Sequence, residues 1–356
     1  MTVTRRHIQI ALGVLWLLDG ALQLQSYMFT SGFAHQIIEP AAAGQPVAVA
    51  APVHWAAHLI ATAPVLTNLI FALGQLALGA GLLWVRTARW ALAGSIAWAL
   101  SVWLLGEGLG GLAGGHTLLL TGAPGAVLLY AMAAVLAWPR RTPRPVGATG
   151  RLHGDTPPSA WAAPVWALLW SGGAVLQLLP GNGAVPAIAS SADSAPGPLA
   201  SADRSLAAAM SAHGTVMTVG LALLMAAVGL GVLAPRPWRT TAACTGIVLA
   251  LVFWMLGEGA GLLTSGHSTD PNTGPLLVLL AVAVLGAPTD LNLSRWLGAH
   301  LWEPDLLGEG RGFRTRQADE FAQAGLPTPA AIASAVTTPE KTDPEGLHRL
   351  PDQGCA

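Results

Sequence analysis

Eight apolar runs divide this chain, most of them near the roughly 17–25 residues that cross the hydrocarbon core of a bilayer. They cover residues 8–28, 64–85, 90–109, 123–138, 159–179, 207–233, 240–263 and 275–287. Backbone in lipid must satisfy its own N–H and C=O groups, so such runs fold as helices. Charged residues make up 10% of the sequence and hydrophobic ones 53%, whereas an ordinary soluble domain carries about 25% charged residues. The sequence therefore predicts an all-α integral membrane protein with eight transmembrane helices and the lipid bilayer as its surroundings.

Basic residues set the orientation. With the N-terminus inside, sixteen of the seventeen Lys and Arg fall on the cytoplasmic side and only Arg204 falls outside, as the positive-inside rule requires. Arg5-Arg6 ahead of an apolar run resembles the start of a signal peptide. Asp19 interrupts that run and no small-residue cleavage site follows closely, so it reads as a retained first span. Both termini are expected in the cytoplasm. The Ala-, Gly- and Arg-rich composition, with a single Lys, suggests a GC-rich bacterial genome and hence a bacterial plasma membrane.

The chain also repeats itself. Trp103-Leu104-Leu105-Gly106-Glu107-Gly108, with His116 nine residues after the Glu, returns as Trp254-Met255-Leu256-Gly257-Glu258-Gly259 with His267. The offset is 151 residues throughout. Trp16 and Gln23 in the first span match Trp170 and Gln177 in the fifth. His58 and His213 both precede an Arg-rich span end, and Pro124 and Pro275 each follow a motif His by eight residues. Each half holds four spans, an even number, so both enter the membrane in the same sense. The expected architecture is two parallel-repeat four-helix bundles at 1–139 and 159–288. A cytoplasmic linker at 140–158 joins them, and a mostly disordered tail at 289–356 follows. Residues 291–302 could lie as an interfacial helix, and the Gly/Ser/Pro/Asp segment at 180–204 reads as a flexible loop.

Several classes are excluded. A net charge of −1 gives no footprint for nucleic acid. The two cysteines, Cys244 and Cys355, make neither a disulfide framework nor a thiolate metal site. No nucleotide loop, Ser/His/Asp set or Cys redox motif occurs. Haem between helices needs facing His pairs, whereas the His residues here sit at the outer rim.

The first-span run Leu12-Gly13-Val14-Leu15-Trp16-Leu17-Leu18-Asp19-Gly20 resembles DoxX-like membrane proteins, which are four-helix units. So does the second-span run from Asn68 to Trp84, followed by Arg86. The resemblance covers spans 1–3 and, more faintly, spans 5–7. It implies a four-helix unit in tandem and an association with respiratory-membrane redox chemistry at a quinone. The chain is also similar to uncharacterised actinobacterial multi-pass membrane proteins.

Depth points to a site. At about 1.5 Å of rise per residue, Glu107 lies about 27 Å from Arg89, Glu258 about 28 Å from Arg239, and Gln23 about 25 Å from Arg6. The duplicated polar residues thus converge on the outer end of each bundle. An ionisable group in a span costs roughly 2.5–3.5 kcal/mol and usually lines a cavity or bundle interior. In the functional reading Glu107 and Glu258 bind a ligand or exchange protons, His116 and His267 partner them, and Gln23 and Gln177 orient them. In the plain reading the glutamates are hydrogen-bonded packing groups. Asp19, whose counterpart is Gly173, is a candidate proton relay. His54 and His58, four apart, share a helix face and could chelate a metal with His213 as a further candidate. Asp270 and Asn272 read as a turn. Three functions follow: an outer Glu/His pocket for a metal ion, quinone head group or small polar ligand; a proton-coupled small-solute transporter; or an assembly protein without ligand. No inward chain of polar groups is legible in either half, and the sequence names no cofactor.

Overall fold

The computed structural model describes residues 3–115, 117–139, 156–193 and 195–288. His116, most of the linker, the 291–302 segment and the tail lie outside the described residues. Every described element is helical. The first half contains α1 (Arg5–Leu22), α2 (Val47–Thr62), α3 (Pro64–Leu83), α4 (Ala88–Leu105) and α5 (Ala126–Leu136). The second contains α6 (Ala162–Gln177), α7 (Ala184–Ser191), α8 (Gly197–Met210), α9 (Gly214–Gly231), α10 (Arg236–Leu256) and α11 (Thr273–Gly286).

Four stretches are long and apolar enough to cross a membrane: α3, α4, α10 and the combined Gly197–Gly231. Their surfaces are those of lipid-facing helices. On α3, Leu66, Ile70 and Leu73 are 60%, 53% and 56% exposed. In water such a stripe would be an aggregation surface; in hydrocarbon it costs nothing. Exposed Trp84, Trp90 and Trp238 stand near the basic turns, where amphipathic rings anchor a helix at the headgroup level.

In each half the first helix packs on a later, longer helix, α1 on α3 and α6 on α9. Gly13 and Gly79 meet there. A Cβ on Gly13 would lie 3.1 Å from the Gly79 carbonyl oxygen, so only small residues permit this approach. The chain continues α3–α4–α5 and α9–α10–α11, each helix packed on the next. The halves meet along α5 and α11, with α1 also touching α11. One buried core, including Trp16, Tyr130, Trp166, Trp170, Leu276 and Leu280, runs through both.

α5 is only 11 residues long, about 16 Å. The Ala137 carbonyl at its C-terminal end accepts from Gln9 Nε2 at 3.0 Å, and Arg5 donates to the Trp138 carbonyl. Higher up, the Tyr130 ring packs on Trp16 with centroids 4.4 Å apart. The same register puts the N-terminus of α5 about level with Gly20, near the C-terminal end of α1, where the link from α4 meets it. Non-helical backbone at such a level must be enclosed by protein, and Leu118, Leu119 and Leu120 of this link are indeed buried.

Three expectations change. The segment expected as a flexible loop at 180–204 folds as α7 and the start of α8, because Ala184, Ile188, Ala192 and Ala200 find buried positions. The expected span at 207–233 breaks at Ser211–His213. His213 thus stands at the α8–α9 break, the place held by Ala63 between α2 and α3, and is not the counterpart of His58, which lies within α2. The third change concerns the prolines of the two links and follows from the site itself.

Candidate functional site

The duplicated motif builds the same turn twice. After α4, residues Gly108, Leu109, Gly110 and Gly111 all have positive φ (54°, 58°, 61° and 74°). After α10, Gly259, Ala260, Gly261 and Leu262 do likewise (53°, 56°, 66° and 53°). Left-handed backbone costs an L-residue roughly 1–2 kcal/mol and is visited singly as a rule. Runs of four, three of them glycines in the first copy, explain the Gly-rich sequence. The turn reverses the chain tightly enough for a Cβ on Gly110 to collide with the Pro124 carbonyl.

Reversal delivers each glutamate to a helix N-terminus. Glu107 Oε1 accepts from the Val127 amide of α5 at 3.3 Å. Glu258 Oε2 accepts from the Thr273 amide of α11 at 3.0 Å, and its Oε1 accepts from the Thr273 hydroxyl. The first turn of a helix carries unpaired amides and the positive end of the dipole, so a carboxylate is favourable there. The motif tryptophans complete the clasp. Trp103 Nε1 donates to the Pro124 carbonyl and Trp254 Nε1 to that of Pro271, both at 2.7 Å. The residue equivalent to Pro124 is thus Pro271, not Pro275. The first link is four residues longer, and the extra length forms the turn Leu119–Thr121, whose two leucines are buried and which packs on α6, α7 and α10.

Two further side chains tie the halves at the same end. Gln25 Nε2 donates to the Ser268 carbonyl at 3.0 Å, and Asn182 Nδ2 to the Thr117 and Gly115 carbonyls at 3.4 and 3.0 Å. Thr117 and Ser268 are 151 residues apart, so each half grips the same point of the other's link.

The expected partners of the glutamates are placed elsewhere. Gln23 is buried with Oε1 unpaired, and Gln177 is buried with both side-chain polar atoms unpaired. His267 is exposed and its ring stacks on Tyr27, centroids 4.0 Å apart. His116 lies outside the described residues. His54, His58 and His213 are exposed. His54 Nδ1 stands 3.8 Å from Glu39, whose carboxylate bonds His35 at 2.9 Å. That hydrogen bond holds Glu39 below its ordinary carboxylate range. Among the described residues no three His, Cys, Asp or Glu side chains converge as a metal-holding group.

The structure instead collects unpaired oxygens inside the first half. Asp19 is 2% exposed and its Oδ1 has no partner. The Tyr130 hydroxyl lies beside it without a hydrogen bond of normal geometry. Asn68 Oδ1, Gln75 Oε1 and Gln23 Oε1 are also buried and unpaired. Asn68 Nδ2 donates to the Gln23 carbonyl at 2.7 Å, which ties the N-terminal part of α3 to the C-terminal end of α1. Asp270 is the electrostatic neighbour that Asp19, Glu107, Glu258 and Tyr130 share. Burial raises the Asp270 pKa above the usual carboxylate range, although hydrogen bonds from Thr269 and the Asn272 amide pull it down. Among the described residues no Lys, Arg or His forms an ion pair with any of these four carboxylates.

Asn68, Gln75 and Tyr130 were missed as site residues because they sit on apolar helices in the sequence. The buried face of α3, Asn68–Ala72–Gln75–Gly79–Leu82, has helical spacing that could have found the first two. No family model, curated protein or solved structure matches this chain.

Proposed function

We propose that this is a multi-pass protein of the bacterial plasma membrane, with eight spans in two parallel four-helix repeats and both termini in the cytoplasm. In this reading it takes up a proton or a small cation from the outer side into the carboxyl-lined interior of its first repeat. The basic-residue asymmetry and the paired motif contacts support the topology. One observation carries the function: Asp19 is buried, with an unpaired Oδ1, the Tyr130 hydroxyl beside it, and Asp270 rather than a cation as its charged neighbour. Such a group is expensive in a membrane interior and is retained where protons or ions are handled. Glu107 and Glu258 serve chiefly as caps that hold the short helices, with the unpaired Glu107 Oε2 left for exchange. Resemblance to DoxX-like proteins supports the four-helix unit as the duplicated piece. A quinone or metal at an outer Glu/His pocket gains nothing from the placement of His267.

Infrared difference spectra of the reconstituted protein test the reading. Stepping the external pH should shift a carboxylic C=O band that disappears in Asp19→Asn. A spectrum with no pH-sensitive carboxyl band, or one unchanged in that variant, would end it.

Proton-coupled solute transport is the second reading. It is favoured by buried polar groups on the inward part of α1, absent from the sequence-based picture: Gln9, and Trp16 bonded to Ser95 Oγ at 2.8 Å.

A further inference from the structure

At the face that the basic residues assign to the cytoplasm, the second half holds a cavity of about 220 Å³. Ala163 of α6, Leu233 after α9, Arg236 and Arg239 of α10 and Pro288 after α11 are among the residues that line it. Pockets for drug-sized ligands run to about 300–1,000 Å³, so this one suits a small group.

Its charge is one-sided. Arg236 and Arg239 stand in the first turn of α10, the end of a helix that favours anions over cations, and that turn has no acidic residue. Arg239 is 6% exposed. Its Nη2 donates to the Val284 and Ala287 carbonyls at 2.6 and 3.3 Å, and its Nη1 to that of Pro288 at 3.3 Å. Those carbonyls at the end of α11 orient the guanidinium and leave its charge in place. The charged neighbour of Arg239 is Arg236. Among the described residues neither forms an ion pair with a carboxylate. A buried charge without a counter-charge is costly, and phosphate is the anion whose oxygens match the guanidinium fork.

Orientation alone does not ask for this arrangement. The positive-inside rule needs only basic residues on this face, and Arg86 and Arg89 meet it in the first half as exposed residues. Ala91 and Ala242, 151 residues apart, face equivalent glycines, Gly81 and Gly231. In that register Arg239 corresponds to Ala88 and Arg236 to Val85. The carbonyls ending α5 are held from α1 instead, by Gln9 and Arg5.

The surroundings of the cavity select the source of the phosphate. Leu233 lines it and is exposed, Leu230 and Leu223 continue an exposed face along α9, and Trp238 of α10 is 68% exposed. A free anion gains nothing from such a face, whereas an acyl chain packs on it. Basic pockets between helices on the cytoplasmic side suit anionic head groups.

We propose that this cavity binds the phosphate of one anionic phospholipid of the cytoplasmic leaflet, on Arg236 and Arg239, with an acyl chain along the exposed leucines of α9. The site goes beyond the proton reading and requires only that this end of the second half faces the cytoplasm.

The full chain, delipidated in mild detergent, is titrated with phosphatidylglycerol, with phosphatidylcholine of the same acyl chains, and with inorganic phosphate. Native mass spectrometry counts bound lipid, and thermal unfolding reads stabilisation. One phosphatidylglycerol per chain is expected to bind saturably and raise the unfolding temperature, at least tenfold more tightly than phosphatidylcholine, whose own ammonium opposes the arginines. Arg239→Gln also frees the carbonyls ending α11 and can unfold the chain, so Arg236→Gln carries the test. It should weaken phosphatidylglycerol binding at least tenfold, while Arg86→Gln, which removes one charge from the same face, leaves it unchanged. Equal binding of the two lipids, or equal effects of Arg236→Gln and Arg86→Gln, overturns the proposal. Stabilisation by inorganic phosphate that matches phosphatidylglycerol overturns the lipid as the source.

Discussion

Glu258 makes the clearest single-residue case. It is 6% exposed and closes the N-terminus of α11 through the Thr273 amide and hydroxyl. Replacing a cap by Ala costs about 0.5–2 kcal/mol, so Glu258→Ala should lower the unfolding temperature in detergent, whereas Glu258→Gln, which keeps an acceptor, should lose less. Asp270 yields a pH dependence. Its folded pKa is raised, mainly by burial, so the native state binds its proton more tightly than the unfolded chain does. Stability from this group is full below the ordinary carboxylate range and is lost as pH rises through the raised value. Thermal unfolding followed against pH should show that decline, and Asp270→Asn should flatten it; an identical slope in the variant would remove Asp270 as the cause. The carboxylates and the Gly-rich motif were legible at this scale because they are rare in an apolar chain. Their partners were not. Glu107 finds the Val127 amide twenty residues on, and backbone amides leave no mark in a sequence.

Among the elements, the left-handed turns and the two short helices form one device. The first turn carries one strained non-glycine residue, Leu109, and the second two, Ala260 and Leu262, of which Ala260 at φ 56° offers the least confounded probe. Ala260→Gly removes the Cβ conflict, worth roughly 1–2 kcal/mol, against a somewhat smaller entropic loss for Gly. The variant should be slightly more stable. Gly110→Ala should be severely destabilised, since its Cβ meets the Pro124 carbonyl. Unfolding temperatures of the two variants, measured side by side, should move in opposite directions. Helix positions follow from hydropathy to within four residues for α3 and α4, because burial in lipid selects length, whereas α10 ends seven residues before the expected span, where the left-handed turn begins. The break between α8 and α9 and the helices in 180–204 do not follow from it. Those depend on apolar side chains reaching buried positions, as Ile188 and Ala200 do.

Across the whole molecule, the halves are joined by α5 against α11 and by crossed bonds to Thr117 and Ser268. A chain cut within 140–155 and expressed as two segments should therefore copurify through a tag on one half. Gln25→Ala combined with Asn182→Ala should weaken recovery of the untagged half more than either change alone. Equal recovery from the double variant and the wild type would show that helix packing alone holds the halves.

The sequence by itself determined that the chain is helical, that most of its surface is lipid-like, and that a glutamate-bearing motif occurs twice at one offset. Those properties reside in composition, run length and spacing, each of which acts locally. Only the tertiary structure decided that the two glutamates cap the helices that follow them. It also decided that Asp19 of α1 stands beside Tyr130 of α5, that Asn68 and Gln75 of α3 are buried, and that Met225 and Leu119 pack against Gly173 in the other half. The reason is physical. An unpaired oxygen is defined by what surrounds it, and its surroundings come from residues that only folding brings together.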